Sequence, residues 1–125
     1  MNNLLINRFK DYSKEYFTLN EIIKIIEGNV FPILKIGGIT ANPQDLSIKI
    51  AGVKQYFPRM VFQIIYYMME HCNKNITREM LLRDLWGDDV IVTKRTIDVH
   101  IYKIRKIVGK DTIKTLKRSG YIWIN

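Results

Sequence analysis

The chain has 125 residues, 47% of them hydrophobic, and a formal net charge of +8. That is enough for one domain with its own packed core, and the single cysteine, Cys72, excludes an internal disulfide and a cysteine-based zinc cluster. The opening MNNLLINRFKDYSKEY lacks a signal-peptide pattern, and the longest apolar-leaning stretch, MVFQIIYYMM, is too short to span a bilayer. A soluble, cytoplasmic protein with no membrane partner is therefore expected.

In chain order, TLNEIIKIIE at 18–27 has apolar residues at helical spacing and stops at Gly28, which predicts a short helix within an N-terminal extension spanning 1–30. From 30 to 56 the β-prone pieces FPILKI, GIT, LSIKI and VKQYF are separated by Gly37-Gly38, Asn42-Pro43 and Ala51-Gly52, as in a small antiparallel meander. Pro58 suits a first helical position, and the RMVFQIIYYMMEHC that follows is apolar almost all round, so it belongs in the middle of the core.

A second helix is predicted from Thr77, whose hydroxyl can cap free backbone N–H groups, with Ile76 and Leu81 at the flanking staple positions and an end near Gly87. After the link DDVIV (88–92), a third helix starts with Thr93 as cap and Val92 and Ile97 as staple, and stops at Gly109. Its inward stripe is Ile97, Ile101, Ile104 and Val108. TIKTL and YIWI then flank Lys117-Arg118-Ser119-Gly120, a β-hairpin with a basic tip. This order predicts an α+β fold over 31–125: a winged helix-turn-helix with an N-terminal antiparallel sheet, three helices and a hairpin wing.

The charge is unevenly placed. Residues 1–50 hold 6 Lys+Arg against 5 Asp+Glu, residues 51–92 hold 5 against 5, and residues 93–125 hold 9 against 2, a local excess of +7. A basic block on one structural region is the footprint of a polyanion-binding face. With the isoleucine stripe inward, Arg95, Thr96, Val99, His100, Lys103 and, towards the flank, Tyr102 and Lys106 face outward. Lys94 and Arg95 lie against the helix dipole, at a cost of about 0.3–1 kcal/mol each when exposed, which a phosphate at the helix start would offset. Arg95 or Lys103 can reach a guanine edge, and Val99 a thymine methyl. In the hairpin, Lys114, Lys117 and Arg118 surround Thr115 and Ser119, which suits phosphate or minor-groove contact, although edge-strand protection also calls for charge there. Trp86 precedes the link and is read mainly as structural, within reach of the phosphate backbone.

Other constellations carry little. His71 and Cys72 are neighbours on a buried helix and point apart, Gly37-Gly38 has no following Lys-Ser/Thr, and no paired carboxylates, nucleophile elbow or HExxH are present. No enzyme, cofactor or metal site is expected.

RTIDVHIYKIRKIVG closely resembles the recognition helix of the OmpR/PhoB-type response-regulator DNA-binding domain, typically RTVDVHISRLRKKL. ITREMLLRDLWGDD resembles that family's second helix with its WG ending, IKTLKRSGYIW its wing (usually IKTVRGVGYRF), and LKIGGITANPQDLSIKIAGVKQYF its N-terminal sheet, so the likeness covers about residues 33–124. It implies phosphate and base contacts, or their orientation, from Arg95, Thr96, Val99, His100, Lys103 and Arg105, wing contacts from Thr115 and Lys117, a Trp86 in the backbone-facing loop, and a geometric role for Asp98. It also implies double-stranded DNA as partner and two copies on direct-repeat half-sites.

Departures from the pattern are Phe57-Pro58-Arg59-Met60-Val61-Phe62 where the family has L-T-x-x-E-F, Tyr102-Lys103 in the recognition helix, and Lys117-Arg118 for the usual Arg-Gly, which is expected to alter the turn and add a cation. About 30 residues precede the sheet, too few for the family's receiver with its phosphoacceptor aspartate, although EYFTLNEIIKII faintly resembles the end of a receiver's last helix. The resemblance therefore implies a stand-alone, nucleoid-associated regulator not phosphorylated by the usual route, with the 18–27 helix packing on the sheet or pairing protomers. A module that binds RNA polymerase or another regulator through 88–92 and the sheet, and a nonspecific nucleoid-type binder, are the competing expectations.

Overall fold

The computed structural model describes residues 31–87 and 91–125. The helix expected at 18–27, with the rest of the 1–30 extension, and residues 88–90 of the link lie outside the described residues.

Four short strands form an antiparallel meander: β1 (Leu34–Ile36), β2 (Ile39–Asn42), β3 (Ser47–Ile50) and β4 (Val53–Tyr56), in the spatial order β1-β2-β3-β4. Gly37-Gly38 and Ala51-Gly52 are two-residue loops with both residues at positive φ, the backbone of the turns whose twist suits a hairpin. Between β2 and β3, the Asn42 side-chain oxygen accepts from the Gln44 N–H at 2.9 Å, so the Asn-Pro signal marks an Asx turn. Cross-strand rows place Ala41 opposite Ile48 on the face turned to the core and Lys49 opposite Lys54 on the outer face.

Helix α1 (Arg59–Glu70) is buried at nine consecutive positions, Val61 to Met69, as its all-round apolar sequence requires. The sheet covers one side and the later elements cover the other. Pro58 stands one residue earlier than expected. It is the N-cap residue, and its carbonyl accepts from Phe62 N–H at 3.1 Å. The helix also stops two residues before Cys72, where His71 turns out of it with Nδ1 2.8 Å from the Tyr67 carbonyl and its ring stacked on Tyr67.

Helix α2 begins at Arg78–Leu81 and widens into a π-helical turn over Leu82–Trp86. Thr77 caps it as predicted, its hydroxyl accepting from Met80 N–H at 3.1 Å. Gly87, at φ 82, closes it by donating to the Leu82 carbonyl at 3.0 Å. Helix α3 (Lys94–Val108) buries Ile97, Ile101, Ile104 and Val108, the predicted stripe, and ends at Gly109 with φ 103. Thr93 corrects an expectation: its side chain makes no cap hydrogen bond, and its carbonyl instead accepts from Thr96 N–H at 3.0 Å.

Strands β5 (Ile113–Leu116) and β6 (Gly120–Trp123) form the wing, with Thr115 opposite Tyr121. The segment before α2 adds a third line to this hairpin: Ile76 and Tyr121 exchange both backbone hydrogen bonds, at 2.8 and 2.9 Å. The approach is so close at Gly120, φ 152, that a Cβ there would fall 2.1 Å from the Ile76 carbonyl oxygen. The two-stranded wing is thereby tied to the helix-turn-helix and shares its core through Ile113, Tyr121 and Trp123.

Candidate nucleic-acid interface

The row predicted to face outward on α3 does so in large part. Lys94, Arg95, Val99, Tyr102, Lys103 and Lys106 are exposed, and Thr96, His100 and Arg105 are half-buried. Two exposed apolar side chains, Val99 at 45% and Tyr102 at 61%, stand among cations on a helix whose other face is sealed. An apolar group in such a place is suited to a base edge or methyl group rather than to solvent. Lys106 Nζ lies 4.4 Å from the Tyr102 ring centroid, one turn along the helix, so the ring and the cation form a single protruding unit.

Several candidates prove to be engaged within the fold. Lys94 Nζ sits 2.5 Å from the Glu79 carboxylate of α2, which holds that carboxyl below its ordinary range. The first cation of α3 is thus already matched, and Arg95 alone carries the unmatched positive charge against the dipole in the first turn. Arg105 reaches across to the wing: Nε donates to the Ile113 carbonyl at 3.1 Å and Nη2 donates to the Thr115 hydroxyl. These two residues, each a candidate contact, are turned toward one another. His100 packs its ring 6.0 Å from that of Trp86, tilted by 39°. Burial lowers its pKa, Lys103 adds to the effect, and its Nδ1 is buried without a hydrogen-bond partner.

At the wing tip Lys117 and Arg118 are exposed, and Ser119 N–H closes the turn on the Leu116 carbonyl at 3.0 Å. Arg118 adopts φ 64, the left-handed conformation that glycine favours. The Asn75 side-chain amide braces the tip by donating to the Ser119 hydroxyl at 2.6 Å. The tip is therefore a braced, doubly cationic turn.

A cluster that residue spacing alone did not bring together lies beneath this surface. Arg78 Nε is 2.7 Å from Asp98 Oδ1, the Tyr121 hydroxyl donates to the same oxygen, and Arg78 Nη2 donates to the Tyr121 hydroxyl at 3.3 Å. Burial works against the Asp98 carboxylate, but the hydrogen bonds from Tyr121 and Arg78 outweigh it and hold the group below its usual range. Burial and the Asp98 charge raise Tyr121. Among the described residues no group of three His, Cys, Asp or Glu side chains is placed to hold a metal ion, and no helix is long and apolar enough to cross a membrane.

A helix-turn-helix whose second helix presents cations and apolar tips, backed by a basic hairpin, has the architecture of a winged-helix DNA-binding domain. Known proteins agree. The family described as transcriptional regulatory protein, C terminal, matches residues 56–123, and the chain belongs to it. It is 30% identical to the phosphate regulon transcriptional regulatory protein PhoB of Pseudomonas aeruginosa over 91 residues, 70% of this chain and 40% of that protein. It is 28% identical to the heme response regulator HssR of Staphylococcus aureus over 122 residues, 89% of this chain and 54% of the relative. The chain thus spans about half the length, or less, of these curated relatives. Among solved structures, the response regulator DrrB of Thermotoga maritima, an OmpR/PhoB homolog, superposes with a TM-score of 0.69 at 26% identity, covering 86% of this chain and 51% of that one. The DNA-binding domain of Klebsiella pneumoniae RstA, solved in complex with the RstA box, superposes with a TM-score of 0.66 at 22% identity, covering 75% of this chain and 98% of that one. This is not an enzyme family.

Proposed function

We infer that the protein is a sequence-specific, double-stranded DNA-binding transcriptional regulator, in which α3 enters the major groove and the wing tip lies on the adjacent minor groove or backbone. The observation that carries this reading is the exposed row of α3, Arg95, Val99, Tyr102 and Lys103, on a helix that Arg105 and Asp98 join to the wing whose tip exposes Lys117 and Arg118. The roles divide by chemistry. Arg95, Lys117 and Arg118 meet phosphates, Lys103 meets a guanine edge, and Val99 and Tyr102 meet apolar base surface. Lys94 and Thr96 add phosphate contacts at the helix start. Trp86 and His100 support the helix from the side, while Arg105 and Thr115 join it to the wing. RstA, a structural neighbour, was solved on its DNA box, which favours the same use of the fold here.

Two copies on direct-repeat half-sites follow from the family resemblance. The link 88–92 suits a contact with RNA polymerase, because Ile91 is fully exposed two residues after the acidic pair Asp88-Asp89. A pull-down of RNA polymerase that is lost on Ile91→Ala, with DNA binding unchanged, supports that contact, and retention by the variant excludes it.

The DNA reading is tested by selecting duplexes from a random library with the full chain, then methylating guanine N7 in the winners. Enrichment of one motif, with interference at its guanines, is the expected result. An unenriched pool excludes sequence-specific binding.

A further inference from the structure

Tyr121 is 4% exposed and sits on β6, yet its side chain reaches both helices of the helix-turn-helix. The hydroxyl donates to Asp98 of α3 and accepts from Arg78 of α2 at 3.3 Å. The ring has the Arg78 guanidinium 5.0 Å from its centroid and that of Arg105 5.5 Å away. Arg105 in turn holds β5 through Ile113 and Thr115, and the Tyr121 backbone is paired with Ile76. One residue therefore reaches, directly or through Arg105, the elements whose mutual placement sets the distance from α3 to the wing tip. The tip cation Arg118 lies only three residues before it.

We propose that Tyr121 is a positioning residue: its hydroxyl, shared between Asp98 and Arg78, locks the wing against α3 so that helix and wing engage DNA as one preformed surface. This rests on the DNA-binding reading above. The physical basis is preorganisation. Two contacts on one rigid body pay the ordering cost of the second contact during folding, whereas a wing free to rock pays it on binding. Arg105 braces the same joint from the strand side, but it bonds one carbonyl and one hydroxyl of β5 and neither Asp98 nor α2. The Tyr121 hydroxyl is the group that closes the triangle.

The test uses the full chain with two probes, the duplex that the wild type selects from a random library and a random-sequence duplex of equal length. Tyr121→Phe keeps the buried ring and removes only the hydroxyl. Because the wing tip meets phosphates, the substitution is expected to weaken the selected and the random duplex alike, by several-fold to about tenfold, and to lower the salt slope on both by about one phosphate contact. Lys117→Ala should then cost less in the Tyr121→Phe background than in the wild type, because the wing contact has already been loosened. If Tyr121→Phe only lowers the melting temperature, with duplex affinity, salt slope and the Lys117→Ala effect all unchanged, the positioning role is wrong. Should Tyr121→Phe fail to fold, Asp98→Asn and Asp98→Ala make the same comparison. The amide oxygen of Asn still accepts from the phenol, so Asn is expected to preserve the salt slope and Ala to flatten it, and equal slopes overturn the proposal. If the wild type selects no duplex over random sequence, the DNA-binding reading falls and the positioning role falls with it. A wild type that selects beside an unaltered Tyr121→Phe removes the positioning role alone.

Discussion

Lys94 at the start of α3 and Glu79 in α2 form an ion pair of 2.5 Å on the surface that faces DNA in the proposed complex. A phosphate approaching the helix start must share Lys94 with a carboxylate already there. Glu79→Gln is therefore expected to tighten binding to any duplex, by about threefold at low salt, and to steepen the salt dependence by up to about one released counterion. Fluorescence anisotropy across salt concentrations checks this. Unchanged or weaker binding would mean that Lys94 makes no phosphate contact.

Arg118 occupies, at φ 64, a turn position where the resembling family usually has glycine. A non-glycine residue in the left-handed region costs about 1–2 kcal/mol. Arg118→Gly should raise unfolding stability by about 1 kcal/mol while weakening duplex binding several-fold through loss of a tip cation. Denaturant unfolding and a binding titration on the same preparation reveal whether the two properties move in opposite directions.

Gly120 is constrained in the other sense. With a Cβ only 2.1 Å from the Ile76 carbonyl oxygen, Gly120→Ala must push the wing away from the segment before α2. The expected loss is about 3 kcal/mol, with slowed amide exchange at Ile76 and Tyr121 abolished first. A variant of wild-type stability would contradict the close backbone approach.

Two side chains predict a pH dependence. Burial keeps the folded pKa of His100 below its unfolded value of about 6.5, so its contribution to stability is complete above that value and is lost as pH falls through it. His100→Gln should flatten the stability profile below about pH 6.5. Asp98 is depressed by Tyr121 and Arg78, so its contribution is present above the unfolded carboxylate value of about 3.9 and is lost on further acidification towards the folded value. Asp98→Asn should remove that acid limb. Urea melts over a pH series measure both limbs.

The parts of this architecture set by local pattern were legible in the sequence. The Ile97, Ile101, Ile104 and Val108 stripe, the largely buried α1, the Thr77 cap and the Gly-containing turns all follow from periodicity, capping chemistry and positive φ, which depend on near neighbours. What could not be read are pairings between distant segments. Arg105 was placed by resemblance among the DNA contacts, but folding of the wing beside α3 brings it to Thr115. Lys94 looked unmatched until α2 delivered Glu79, and Thr93 looked like a hydroxyl cap although its carbonyl does the work. The Arg78, Asp98 and Tyr121 triangle draws one member from each of three elements, so no single helical or strand period contains it.

The central claim is that α3 chooses the sequence and the wing tip supplies sequence-independent charge. Competition binding against random duplex, across a salt series, tests it most directly with the wild type, Val99→Ala, Lys103→Ala and Lys117→Ala. The account predicts that Lys117→Ala lowers the salt slope by about one and weakens all duplexes alike, whereas Val99→Ala and Lys103→Ala alter the preferred bases, Lys103→Ala costing about 1–3 kcal/mol of discrimination at one guanine. A wild-type chain that competes no better on its selected duplex than on random sequence would contradict it.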